Sequence, residues 1–281
     1  MESRDIPTPD YDGPEHIPYA RAERFLWGDD ESKHVPDWYY LSNEKLHCMS
    51  FVLPEGRNFR NSENYPTIYG ADEVFVVMEG TFALSNPKTG EVVRLESGDA
   101  GCFQGGTWHH GFNVGAGRVF VLEFFAPPPS QGTGTAYADD FDPLTERDWR
   151  YLPRELEGKW PFDANALDEK TLYKVDDDDL LPILKGKANP AYTELYADTE
   201  HLQVGRIALR PGQTTDVESH EGDEMVYLHD GTAFIHLPDA ETDHWFEMSG
   251  GDGMYIPEGT PHEYHNAGDE SVRVYFGTAP N

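Results

Sequence analysis

Four side chains late in the sequence are of types that bind metal ions: Glu218, His220, Glu224 and His262. In a strand, residues two apart point to the same face, so Glu218 and His220 project together. Glu224 lies four residues beyond His220, again an even separation, provided the turn between them keeps the phase. His262 comes from a separate segment. Carboxylates and imidazoles brought to one point are what a divalent ion requires. Two imidazoles with two carboxylates would cancel the ion's charge, whereas three imidazoles with one carboxylate would leave it positive. The neutral sum favours harder ions, so iron or manganese rises above copper, with zinc and nickel still open. Any one of these residues alone reads better as an ordinary surface or turn residue on an acidic strand. Glu218 is a candidate for two roles, as a ligand or as a catalytic group beside the site that orients His220 or a substrate. Tyr264 shares parity with His262, which makes it a candidate proton donor or substrate anchor and equally an aromatic that fills core volume.

The residues around this set occur twice. Gly56 matches Gly212 at a spacing of 156, and Glu73 and Gly80 match Glu224 and Gly231 at 151. Gly98, Gly106, His109 and Asn113 match Gly251, Gly259, His262 and Asn266 at 153. The fall from 156 to 151 puts a five-residue insertion in the first copy, within 57–66, which reads as a surface loop or a lid. In the second copy, Gly212 is followed by Glu218-Ser219-His220, Glu224 and Gly231, then by Gly251, Pro257-Glu258-Gly259, His262 and Asn266. This order resembles the two signature motifs of the cupin superfamily, with Glu218 in place of the first histidine. The resemblance implies that Glu218, His220, Glu224 and His262 face a barrel interior as metal ligands. Gly251, Pro257 and Gly259 would supply the tight turns that aim His262. In the first copy Thr67-Ile68-Tyr69 replaces the paired histidines, leaving Glu73, His109 and a phenol whose usual pKa is about 10. That copy reads as a degenerate site kept for packing.

The elements that must position these residues are short strands punctuated by glycine and proline, such as Glu91–Leu95 ahead of Gly98. Such a pattern points to an all-β sandwich or barrel. With the resemblance it becomes two tandem cupin barrels of the double-stranded β-helix or jelly-roll type, joined by a partly helical connector. The expected layout is an N-terminal arm at 1–35, barrel 1 at 36–127, a connector at 128–195 and barrel 2 at 196–281. The helix signal in the connector is Asp142-Pro143-Leu144, with an aspartate able to cap and a proline suited to the first helical position. The run Asp176–Asp179 lacks the ligand spacing of a calcium loop and reads as solvated.

The charge balance narrows the partners. Lys and Arg total 21 against 52 Asp and Glu, a net charge of -31, which repels nucleic acid and anionic membranes. The acids are spread along the chain, favouring a surface adapted to concentrated salt over a cation-binding patch. Aromatic residues make up 13% of the chain, enough to bury a core despite that charge. Cys48 and Cys102 are too few for a disulfide scaffold and read as free buried thiols. Neither a signal pattern nor a membrane-spanning run is evident, so the expectation is a soluble cytoplasmic protein.

Cupins span many chemistries, so the fold alone leaves the reaction open. The leading expectation is a metal-dependent enzyme on a small polar organic molecule, an iron or manganese oxygenase similar to two-barrel quercetin- or diketone-cleaving cupins. The alternative is a metal-dependent hydrolase, isomerase or lyase similar to ureidoglycine aminohydrolase-type bicupins, which share the Glu218-x-His220 opening and depart at Glu224 and His262. A third reading is a cupin that binds a small molecule without turning it over. A homodimer is the expected assembly.

Overall fold

The structure is a computed structural model that describes residues 6–126, 170–240 and 244–280. Barrel 1 is built on a seven-stranded sheet. Its order runs from β12 (Tyr173–Val175) through β9 (Ala100–Phe103), β6 (Asp72–Glu79), β11 (Val119–Ala126), β4 (His47–Leu53) and β3 (Val35–Ser42) to β2 (Glu23–Trp27). A four-stranded sheet of β5 (Asn58–Phe59), β10 (His110–Asn113), β7 (Thr81–Ser85) and β8 (Val92–Glu96) faces it. Barrel 2 repeats the plan. Its large sheet runs from β1 (Glu15–Ile17) through β19 (Gly253–Ile256), β16 (Gly222–Leu228), β21 (Val272–Pro280), β15 (Gln203–Leu209) and β14 (Ala191–Asp198) to β13 (Leu181–Lys185). Its small sheet holds β18 (Trp245–Ser249), β17 (Thr232–His236) and β20 (Glu263–His265). The pairings are antiparallel throughout, as expected of strands joined by tight turns.

The two large sheets pack back to back, and the strand period of two divides their side chains between barrel interior and barrel interface. On β11, Val119 and Val121 fill barrel 1, while Phe120, Leu122 and Phe124 join the core between the barrels. Buried on both faces, this strand reads as an almost unbroken apolar run rather than an alternation. From barrel 2, Met225 and Tyr227 meet that shared core, while Val226 and Leu228 face the second interior. Polar links reinforce the contact. Tyr40 Oη donates to the Gly251 carbonyl at 2.8 Å, and Asn43 Nδ2 to Asp223 Oδ2 at 2.8 Å.

Segments outside the expected barrel limits are part of these sheets. Residues 15–17 of the arm run along β19 of barrel 2, with Glu15 opposite Tyr255. Residues 173–175 of the connector run along β9 of barrel 1, with Tyr173 opposite Cys102. The acidic run is not merely solvated. Asp177–Asp179 form one 3-10 turn, and Asp177 pairs with Arg206, a buried guanidinium that also meets Glu194. The helix expected from Asp142-Pro143-Leu144 lies outside the described residues. Within the insertion at 57–66, β5 pairs with β10 and Phe59 is buried in barrel 1, while residues 60–66 form a loop with Glu63 and Asn64 exposed. Cys48 and Cys102 are free thiols. Among the described residues, no helix is long and apolar enough to cross a membrane.

Candidate metal centre

The four candidate residues of barrel 2 arrive from three places. Glu224 stands on β16 with its side chain inward, next in phase to Val226. His262 immediately precedes β20, and Tyr264 lies within it. Glu218 and His220 were expected on one strand, but Glu218 forms an isolated bridge and β16 begins only at Gly222. That bridge is reciprocal: Glu218 N–H donates to the His262 carbonyl and His262 N–H to the Glu218 carbonyl, both at 2.8 Å. Gly259, at φ +73°, turns the chain so that its N–H reaches the His220 carbonyl at 2.8 Å. A side chain there would be strained in the left-handed region. Backbone lacing of this kind, rather than strand parity, sets Glu218 and His220 against His262.

The donor atoms converge. One ligand atom each from Glu218, His220 and His262 lie within 4.8 Å of one another. Glu224 Oε2 is 3.3 Å from His220 Nε2 and 3.1 Å from His262 Nε2. Even so, His220 Nε2, His262 Nε2 and Glu224 Oε1 are buried without an aligned hydrogen-bond partner. Donor atoms this close together and without partners of their own are available to a shared ion. His262 Nδ1 lies 2.9 Å from the Thr260 carbonyl, which can only accept. The proton therefore belongs on Nδ1, and the Nε2 lone pair is left for the cluster. Two imidazoles and two carboxylates so arranged form a donor set that can hold a divalent ion.

The electrostatics follow from burial and proximity. Burial works to raise the Glu224 pKa, but His220 and His262 outweigh it and hold the carboxyl well below the usual carboxylate range. Burial likewise opposes charge on His262, and Glu224 and Glu218 overcome it, so the imidazole pKa is raised. Tyr264 Oη donates to Glu224 Oε2 at 3.2 Å, and burial followed by the nearby carboxylates pushes the phenol well above its ordinary value. It keeps its proton.

Lys185 was not among the expected site residues. It comes from β13, and its Nζ is 2.8 Å from Glu218 Oε2. Lys185, Thr193, Thr215 and Glu218 line a cavity of about 290 Å³ that reaches the candidate centre at Glu218. Thr193 is fully buried there, with a hydroxyl that has no partner. The sequence offers one clue to Lys185, the scarcity of cations in a chain this acidic. Its 33-residue separation from Glu218 hides the pairing.

In barrel 1 the matching residues are Thr67, Tyr69, Glu73 and His109. His109 Nδ1 lies 3.2 Å from the Thr107 carbonyl, repeating the His262 arrangement, and its Nε2 is 3.8 Å from Glu73 Oε2. Burial lowers the His109 pKa to about 4, so this ring is neutral. The asparagines also correspond. Asn266 Nδ2 donates to the Leu209 and Glu270 carbonyls, and Asn113 Nδ2 to those of Leu53 and Gly117, each tying a turn to a neighbouring strand.

Tandem double-sheet barrels with imidazoles and carboxylates converging inside the second define a class, and the comparisons agree with it. The cupin domain profile matches residues 205–277. No protein of curated function matches the chain. Among solved structures, the oxalate decarboxylase of Lactobacillus farciminis in complex with formate is similar at TM-score 0.65 and 15% identity, covering 94% of this chain and 86% of that one. A variant of the Bacillus subtilis oxalate decarboxylase gives 0.62 and 15%, over 94% and 77%. A Pseudomonas aeruginosa protein described as glyoxylate-induced gives 0.65 and 16%, over 99% and 92%. Residues 205–277 match the cupin domain, and the chain as a whole has the fold of two-barrel cupins.

Proposed function

We propose that this chain is a metal-dependent enzyme with its active site in barrel 2, acting on a small polar molecule that carries a carboxylate. The observation behind the reading is the convergence of Glu218, His220 and His262 within 4.8 Å, beside the Glu224 carboxylate. When bound, iron or manganese supplies Lewis acidity and a redox couple at that point. His220 and His262 present Nε2 atoms, and Glu218 and Glu224 provide the negative charge that suits a hard ion. Lys185 holds an anionic substrate at the mouth, since a charge-assisted contact there orients a carboxylate toward the centre. Tyr264, protonated, donates its hydrogen bond to Glu224 and so fixes that carboxylate beside the centre.

Oxidation by molecular oxygen is the first reaction class for this site, because the neutral donor set favours the redox-active hard ions. The second is a carbon–carbon lyase, favoured by the fold's likeness to oxalate decarboxylases. A homodimer belongs to the same proposal: β13 ends a sheet with Leu181 and Leu184 59% and 71% exposed, an edge that a second copy can cover.

Elemental analysis followed by an oxygen-electrode assay tests the proposal, using manganese- or iron-loaded protein and a panel of small carboxylates that includes oxalate. Oxygen uptake with turnover supports the oxygenase. Metal-dependent turnover without oxygen uptake supports the lyase or a hydrolase. Protein that takes up neither iron nor manganese after reconstitution removes the basis of the proposal.

A further inference from the structure

Barrel 1 buries acidic groups without a basic partner. Asp37 on β3, Glu73 on β6 and Glu123 on β11 are 2%, 1% and 5% exposed. Among the described residues, no lysine or arginine lies within ion-pair distance of any of them. The nearest basic ring, His109, is neutral and 3.8 Å from Glu73. Unpaired carboxyls are costly to bury, and a fold retains them where something else supplies the partner.

Asp37 and Glu123 line a cavity of about 40 Å³, and Glu73 lies 3.8 Å from His109, which also lines it. Its walls are chiefly aromatic, formed by Trp27, Phe51, Phe59, Tyr69, Phe75 and Phe125. Three polar atoms of the lining residues have no partner: Asp37 Oδ1, Trp27 Nε1 and the hydroxyl of Thr67, a residue 1% exposed. A compact metal ion is a poor fit, because no three donor atoms among these acids and His109 approach as closely as those of Glu218, His220 and His262. The missing partner is therefore larger than a bare ion, carries positive charge and presents apolar or π faces to the rings. A buried water occupies roughly 10–15 Å³ of such space, so the cavity takes a group of about three or four heavy atoms.

We propose that the cavity of barrel 1 binds a small nitrogen-bearing organic cation, an alkylammonium or guanidinium group, between the Asp37 and Glu123 carboxylates. Asp37 and Glu123, which burial keeps protonated while the cavity is empty, release their protons to solvent as the cation enters. The cation's N–H groups then donate to the two carboxylates and to Thr67, and the aromatic walls add cation–π attraction. This site is independent of barrel 2 and of any reaction there.

Calorimetric titration of the full chain at fixed ionic strength tests the assignment with four probes: methylammonium, guanidinium at non-denaturing concentration, urea and manganese. Urea matches guanidinium in shape without its charge. The expected result is one saturable site per chain for methylammonium or guanidinium, none for urea, and affinity weakened about ten- to a hundred-fold in both Glu123→Gln and Asp37→Asn. Each variant is first checked for an intact thermal transition. Three results overturn the proposal. One is saturation by urea equal to that by guanidinium. Another is an absence of saturable binding to the unaltered chain, or cation binding unchanged in the variants, which marks adventitious surface association. The third is a site saturated by manganese alone and lost in the variants, which makes it a metal site instead. Because the unaltered chain and its urea control decide the matter, a variant that fails to fold does not block the test.

Discussion

Replacing His262 by alanine removes a donor that is fully buried and 3.1 Å from Glu224 Oε2. Losing a partner that merely supports a ligand costs about 10–100-fold in metal affinity, so losing a ligand costs at least ~100-fold. With manganese at about a hundred times the unaltered protein's Kd, binding stabilises the fold by about 2.7 kcal/mol. At the same concentration the variant has at most about one Kd of ligand, which gives about 0.4 kcal/mol. For a chain of this size, 1 kcal/mol corresponds to roughly 2–4 °C in Tm. The manganese-induced shift should therefore fall from about 5–10 °C to about 1 °C. Each protein is compared with itself with and without metal, so any loss of baseline stability from the lost imidazole cancels. His265→Ala serves as a control, since that ring bonds to Thr214 rather than to the cluster. Differential scanning calorimetry with parallel elemental analysis reads the outcome. An undiminished shift in His262→Ala, or one that collapses equally in the control, would refute the placement of the metal.

Three further outcomes follow from other parts of the molecule. Lys185→Met should raise KM for a carboxylate substrate about ten- to a hundred-fold while leaving kcat and metal content nearly unchanged; an equal rise with an uncharged analogue would show that Lys185 does not read charge. Gly277→Ala should destabilise by about 1–3 kcal/mol in urea unfolding, because its Cβ would sit 2.3 Å from the Phe124 ring across the barrel interface. Burial raises the Glu123 pKa to about 8 from 4.5, so the folded chain keeps a proton that the unfolded chain has released. The stability this gives is fully present below the unfolded value and is lost as pH rises through the folded one, by up to about 1.4 kcal/mol per unit. Urea melts across that range should show a shallower decline in Glu123→Gln than in the unaltered chain, and identical slopes would contradict the reading.

Much of this was legible in the residues because its determinants are local or repeated. Spacings of 151 to 156 between Gly56, Glu73 and His109 and their second copies carry the tandem barrels, since tight turns and inward ligands recur at fixed places along each strand order. Tyr264 was legible through its parity with His262. Glu218 and His220 were placed on a strand because alternation says nothing about where a ladder stops, and here it stops before Gly222. The partner of Glu218 escaped notice because Lys185 belongs to a strand of the supposed connector. Asp37 and Glu123 are 86 residues apart and look like two more acids in an acidic chain. Only the register of β3, β4 and β11 brings them to one cavity. The short strands β1 and β12, three residues each, carry too little pattern to announce themselves.

Those two strands have a consequence for how the chain comes to be folded. The segment preceding barrel 1 completes barrel 2, and the segment preceding barrel 2 completes barrel 1, at the equivalent edges β19 and β9. This is the geometry of two identical subunits that have traded arms, written into a single polypeptide. Barrel 1 gains its last strand only after the connector has followed it, and barrel 2 takes its own from the start of the chain. The pairing of Glu15 with Tyr255 closes a loop spanning most of the chain. Such a closure is slow, and it couples the two barrels into one cooperative unit. Cutting the chain between the barrels would leave each half with an open edge shaped to receive a strand from the other, so the halves should recombine in trans rather than persist as independent domains.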